Sequence, residues 1–440
     1  MTNSTTDRVV ITGLGIVSPL GCEPDALWAN IQAGRSGIAP LSALPASALP
    51  VHFGAEVREF TGAIEDYGVL DSGLKRAIKK NMKVMCREIE MGVAASQKAL
   101  AHSRLPLGTH NPDRIGVLFG CDYILTRPEE YADGVQNCRD EAGRFLIERW
   151  PTHGLPKVNP LWLLKYLPNM PNSHVAIYND LRGPNNSLTV REASMSLAVT
   201  ESADIIRRGQ ADAMLVGATG TRIHPLRTMH TVLVEQLATN VEADPASMAR
   251  PFDATSDGMV LGEGAGALVL ESYAHAQARG AQVWGEILGG GSAMVGPQGN
   301  RDYIQMAVGL AMKKALDQAA TRLPESWHVH AHGLSVPEHD ASEAAAIAGE
   351  LARRGVDAPV VAAKSYFGNL GAGSGAVEMV LSMLAMQHDR LFPMRNLKQL
   401  RSQATWRPGT AADSAGAACV HISYTTQGQA SCLVIGKSAA

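Results

Sequence analysis

Apolar residues fall into two rhythms along this chain. Short runs such as VVITG from Val9, IGVLF from Ile115, AMLV from Ala213 and ALVL from Ala267 carry no charge, as strands buried on both faces do. Between them apolar positions recur every three or four residues and predict helices. These cover Glu23 to Ala33, a long stretch from Leu74 to Ser103, Ala193 to Arg208, and Asp302 to Ala320. In the long stretch Ile78, Met82, Met85, Ile89 and Val93 share one face. Strands alternating with helices predict an α/β fold. Residues 9–20 carry Gly13 and Gly15, read as a strand running into a tight turn; without a third glycine the dinucleotide fingerprint is incomplete. VWGEILGGGSA (283–293) has the same strand-and-glycine character and opens a second part, so lobes 1–272 and 273–440 are expected. Residues 40–70 read as loop, and 122–175, with prolines at 128, 151, 156, 160, 168 and 171, as an irregular insertion.

The stretch 183–218 organises the rest. Gly183-Pro184 leads into a strand (Ser187 to Val190), a sharp turn, and a helix that Gly209 stops; the buried strand Ala213 to Val216 follows. Such a turn presents one side chain at a helix N-terminus, where backbone N–H groups favour negative charge.

Composition narrows the classes. The chain has 440 residues, 45% hydrophobic and 18% charged, with a formal charge of −3, so nothing draws it to nucleic acid or an anionic membrane. No apolar run approaches the roughly 18 residues of a membrane span. MTNSTTDR leads directly into a strand without signal-peptide architecture, and a cytoplasmic protein is expected. Six cysteines (22, 86, 121, 138, 419, 432) make no C-x-x-C pair and no metal spacing, and read as small buried hydrophobes.

Five runs together resemble the β-ketoacyl synthase (ketosynthase) family. They are LPNMPNSHVAIYNDLRGPNNS, the 183–218 stretch, RPFDATSDGMVLGEGAGALVLES, HVHAHGLSVPEHD and AAKSYFGNLGAGSGAVEMV, and the likeness spans nearly the whole chain. The resemblance implies the thiolase fold, two similar α/β lobes in five layers (αβαβα) with mixed sheets. It also implies a dimer whose sheet extends across a two-fold, with 122–175 as cap and dimer contact. Between Gly183-Pro184 and Gly209 the family's nucleophilic Cys falls on Glu192. His332, before Gly333, fits a catalytic His, with Asp340 downstream; a second His has become Asn369. Lys364 and Glu378 are expected as a supporting polar pair, because a buried charge needs a partner. Where the family has a Gly-Phe-Gly-Gly gate loop, this chain has Thr425, Thr426, Gln427 and Gly428. Asp253 and Asp257 read as structural loop residues. The basic positions Lys75, Arg76, Lys79, Lys80, Lys83 and Arg87 read as a solvated face. The resemblance makes Lys79, Lys80 and Lys83 candidates for docking acyl carrier protein.

A condensing enzyme holds its acyl group as a thioester on Cys, and a carboxylate offers only a labile mixed anhydride. The expectation is therefore a ketosynthase-like protein of fatty acid or polyketide synthesis without the condensing Cys. Its substrates would be acyl thioesters on the phosphopantetheine of a carrier or on coenzyme A, with no metal or redox cofactor. Three readings follow. One is a chain-length-factor-like subunit in which Glu192 ion-pairs with His332. Another is an enzyme using Glu192, His332 and Asn369 for malonyl decarboxylation or another acid–base reaction. The last is a carrier-binding scaffold. Homodimer and heterodimer with a Cys-bearing ketosynthase stay open.

Overall fold

A computed structural model describes residues 8–44, 49–240 and 242–438. The leaderless N-terminus expected above rests on residues 1–7, which lie outside the described residues. Ten strands form one mixed sheet. In the first half they are β1 (Val9–Val17), β2 (Ile115–Cys121), β3 (Asn185–Thr189), β4 (Ala213–Thr221) and β5 (Glu263–Ser272). In the second they are β6 (Gly285–Met294), β7 (His328–His330), β8 (Val360–Val361), β9 (Ala418–Tyr424) and β10 (Gln429–Gly436).

Strand order across the sheet is β8-β7-β9-β10-β6-β1-β5-β4-β2-β3, so each half is wired identically. β1 runs antiparallel to β5 and β5 to β4, while β4, β2 and β3 are parallel. β6 runs antiparallel to β10 and β10 to β9, while β9, β7 and β8 are parallel. The halves join where β1 meets β6, Val10 opposite Glu286 and Ile11 opposite Gly285. The duplication that the sequence leaves faint is explicit in the topology.

On the outer faces lie α1 (Arg87–Ser103) against β1 and β5, and α3 (Tyr303–Ala319) against β6 and β10, each 17 residues long. α4 (Pro337–Arg354) packs beside α3. Between the halves lie α2 (Ser194–Arg207) and α5 (Ser374–Gln387), each touching strands of both halves and forming the middle of five layers. Gly13 and Gly15 sit inside β1 rather than in a turn after it. A Cβ on them would come within 2.4 Å of Ala99 O and 2.0 Å of Ala95 O, both on α1. Gly289 and Gly291 of β6 meet Ala315 O and Ala311 O of α3 at 2.3 Å each, so the repeated Gly-x-Gly serves close helix approach.

The long helix expected from Leu74 to Ser103 is interrupted. A helix at Ser72–Asn81 gives way to a 3-10 turn at Met82–Val84, and Met85 and Cys86 are extended before α1 begins. Arg87 turns inward there, onto buried Glu263 and the carbonyls of Val57 and Phe60, and so leaves the basic face. Ile78, Met85, Ile89 and Val93 are nonetheless all buried, which is why periodicity alone runs through the break. The sheet's two outer edges differ. β3 is open, with Asn185, Asn186 and Thr189 exposed, whereas β8 is covered by 407–409, Val360 N donating to Arg407 O (2.9 Å) and Gly409 N to Val360 O (2.8 Å).

Candidate active site

Two turns, one from each half, build the centre. After β3 the chain enters a 3-10 turn, Arg191–Ala193, with Arg191 in the left-handed region at φ +52°, and Ser194 Oγ accepts from Val190 N (3.0 Å). This turn buries Glu192 at 3% exposure. After β8 the helical turn Lys364–Phe367 ends at Gly368 (φ +64°), Asn369 follows, and a 3-10 turn, Gly371–Gly373, starts α5. Asn369 is fixed on all sides. Its amide donates to Glu192 Oε1 (3.0 Å) and Met259 Sδ (3.0 Å), and its Oδ1 accepts from Gly371 N (3.0 Å) and Ser374 Oγ (3.2 Å).

His332 lies just beyond β7, with its own N–H and that of Gly333 donating to Glu343 (2.6 and 2.9 Å). Lys364 Nζ stands 3.0 Å from His332 Nδ1 and 2.5 Å from Glu378 Oε1, so the Lys364–Glu378 pair exists as expected. Burial and then the Lys364 ammonium hold His332 well below the usual imidazole range, and the ring is neutral. With Nδ1 accepting from the ammonium, its proton sits on Nε2, a buried N–H without an acceptor. Burial pushes Glu343 up to about 8, so this carboxyl brings no charge near neutrality.

Glu192 does not pair with His332. Its carboxylate is bound by the guanidinium of Arg222, the largest fully buried side chain in the protein, and by Asn369. Arg222 Nη1 also reaches Glu235 Oε1 (3.2 Å), and Glu235 is bound in turn by Arg191. Arg191 Nε lies 3.8 Å from Asp122 Oδ2, the oxygen that Arg227 also binds. Six side chains thus alternate in charge from Glu192 to Arg227. Burial alone would raise the Glu192 carboxyl; Arg222 and Arg191 outweigh it, and the group lies well below the usual carboxylate range. None of these partners was singled out from the sequence. The available signal was Arg222 itself, a cation closing the apolar run AMLVGATGT, where a buried charge needs a counter-ion.

The gate-loop positions form the tight turn between β9 and β10, with Gly428 N donating to Thr425 O (2.9 Å). Tyr303 OH donates to Thr426 O (2.8 Å), and Arg191 donates to Gln427 Oε1 (2.8 Å), tying the turn to the ionic chain. Asp253 accepts from Thr255, Lys398 and Gln399, and Asp257 pairs with Arg250, as loop-holding residues do. Lys79, Lys80 and Lys83 stand exposed on Ser72–Asn81 and the turn after it, apart from the buried cluster. Cys121 is the thiol-bearing residue beside the Glu192 turn, its carbonyl accepting from Ser194 Oγ (3.2 Å). Burial, then Glu88 and Asp122, hold its thiol far up and un-nucleophilic. Among the described residues no His/Cys/Asp/Glu group is arranged to hold a metal ion, and no helix is long and apolar enough to cross a membrane.

Comparison with known proteins identifies the family and the fold. The family models for the beta-ketoacyl synthase N-terminal and C-terminal domains match residues 6–276 and 285–398. The chain is 30% identical over 403 residues to 3-oxoacyl-[acyl-carrier-protein] synthase 2 of Synechocystis sp., covering 90% of each. A beta-ketoacyl synthase from Burkholderia phymatum aligns at TM-score 0.82 and 25% identity, covering 98% of this chain and 100% of that one. The ishigamide ketosynthase/chain length factor aligns at TM-score 0.79 and 23% identity, covering 98% and 99%. With an α/β thiolase-like architecture and both domain models matched, the chain belongs to the β-ketoacyl synthase family.

Proposed function

We propose that this chain is a non-condensing, chain-length-factor-like subunit that works beside a Cys-bearing ketosynthase on acyl groups borne by acyl carrier protein. The family sets the pathway as fatty acid or polyketide synthesis. The observation carrying the finer reading is the Glu192 carboxylate, held ionised by Arg222 where a thiol would have to stand. It stores no acyl group, and Cys121 is too deeply protonated to replace it.

Two surfaces support the partners. The open edge β3 adjoins an insertion that exposes Phe145, Ile147, Leu155, Leu161 and Leu163, and Ile177 stands out nearby, an apolar face of the kind a second subunit covers. A ketosynthase/chain length factor pair is among the structural neighbours. Lys79, Lys80 and Lys83 offer the acidic carrier an exposed basic strip. The assay is reconstitution with a Cys-bearing ketosynthase and malonyl carrier, following carrier masses. The expected result is β-ketoacyl carrier from the pair, retained with Glu192→Ala, and none from this chain alone. Condensation by the isolated chain would sink the reading.

A second reading keeps the site in use, and one observation favours it. The buried Nε2–H of His332 lacks an acceptor, which the carbonyl oxygen of a bound thioester would supply. On this reading His332 is the group that touches the acyl thioester, and Glu192 and Asn369 form the opposite wall.

A further inference from the structure

The charges around Glu192 carry a consequence for which acyl groups the site takes. Glu192, Glu235 and Asp122 supply three carboxylates, and Arg222, Arg191 and Arg227 supply three guanidinia. Lys364 is matched by Glu378. The ionic chain is therefore balanced by the protein's own side chains. Four of its members are buried (Arg222 at 1%, Arg227 at 3%, Glu192 at 3% exposure, and Asp122), and Arg191 and Glu235 are partly so. Both terminal nitrogens of Arg222 are occupied, one by Glu192 and one by Glu235, and those of Arg191 by Glu235 and Gln427. The Asn369 amide is likewise spent on Glu192.

We propose that this ionic chain is a specificity filter, admitting neutral acyl thioesters to the Glu192 site and refusing those that carry a carboxylate, as malonyl does. The proposal rests on the reading that an acyl thioester reaches His332. A neutral acyl group adds no charge and needs only the His332 N–H for its carbonyl. A carboxylated one brings a fourth anion into a buried, already neutralised cluster, where an unmatched charge is strongly disfavoured. Glu192 is the residue that sets the balance. Replacing it with Gln leaves the guanidinia one carboxylate short and turns the same site toward anions. Exclusion of malonyl groups also fits a subunit that accompanies the growing chain rather than activating the extender unit.

The test uses the full chain and two non-hydrolysable probes, the amide analogues of acetyl- and malonyl-pantetheine, with affinities read by calorimetry. Wild type is expected to bind the acetyl probe at least tenfold tighter than the malonyl probe. Glu192→Gln should abolish or reverse that preference. Asp122→Asn, which removes a carboxylate from the far end of the chain without touching position 192, should narrow it, and it decides the matter if Glu192→Gln does not fold. Equal affinities in wild type, or a preference unchanged in both variants, overturn the filter alone. If His332→Ala leaves acetyl-probe binding intact, or wild type binds neither probe, the underlying reading of the site fails and the filter falls with it.

Discussion

The two central helices start in the same way, and the difference between them locates the chemistry. Val190–Gln210 and Leu370–Arg390 correspond residue for residue without a gap. Ser194 Oγ accepts from Val190 N at 3.0 Å, and Ser374 Oγ from Leu370 N at 2.9 Å. Each helix has 14 residues, and each ends with a left-handed residue, Gly209 (φ +68°) or Asp389 (φ +46°). At the turn itself, Arg191 (φ +52°) stands where the second half has Gly371 (φ +62°), and Glu192 where it has Ala372. The turn belongs to the fold. The charge mounted on it belongs to the site, and only one half mounts any. A left-handed Arg costs about 1–2 kcal/mol relative to the ordinary conformation, and its contacts to Glu235, Asp122 and Gln427 hold it there.

Removing the cation should break this asymmetry most severely. Arg222→Met leaves Glu192 and Glu235 buried without their shared partner, and chemical denaturation should show a loss of about 3–5 kcal/mol. Arg222→Met combined with Glu192→Gln should recover part of it, because one stranded carboxylate goes too. Gly371→Ala probes the conformation alone, since the nearest atoms to the new Cβ are 3.9 Å away; a loss of about 1–2 kcal/mol is expected. A loss near that of Arg222→Met would mean the turn, and not its charges, dominates.

Acid should separate the halves by titrating the charge that the turn carries. Burial alone would raise the Glu192 carboxyl, but Arg222 and Arg191 outweigh it, so its folded value lies below its unfolded one. The pair's stabilisation is then fully present above about pH 4.3, the ordinary glutamate value, and is lost as pH falls below it. Unfolding free energies of wild type and Glu192→Gln should converge on acidification below about pH 4.3. Parallel curves would show that Glu192 is not held ionised. The smallest effect on stability belongs to the surface. Charge reversal at Lys79, Lys80 and Lys83 should leave unfolding within about 0.5 kcal/mol, yet weaken carrier binding about tenfold at low salt and less at high salt.

Much of this centre was legible in the sequence. The strand-turn-helix around Glu192 and the contact of Lys364 with Glu378 both appear in the structure, and Asn369 meets Glu192 while His332 meets Lys364. The ionic partners were not legible, for a physical reason. Asp122 and Glu235 come from two separate segments, and each alone reads as a solvated charge at the end of an element, so Arg222 closes an apolar run with no counter-ion legible beside it. Which charges meet is decided by packing, and so Glu192 was assigned to His332 when Arg222 holds it. The same limit applies to Gly13 and Gly15. A glycine admitting a helix and a glycine making a turn are one letter, and the α1 residues that Gly15 and Gly13 meet, Ala95 and Ala99, lie 80 and 86 residues further on.

The sheet's unequal edges also govern how these molecules can assemble. A sheet open at both ends is a template for indefinite growth, each added chain offering a fresh edge to the next. Here the β8 end is covered by the chain's own 407–409 segment, and among the described residues of this sheet β3 is the edge that no segment of the chain covers, with Ser187 N–H bonded to Asn186 Oδ1. Two chains that meet through β3 consume the last edges available, and a third finds nothing to pair with. Association by this route would terminate at two, a consequence of the asymmetry of an otherwise duplicated fold.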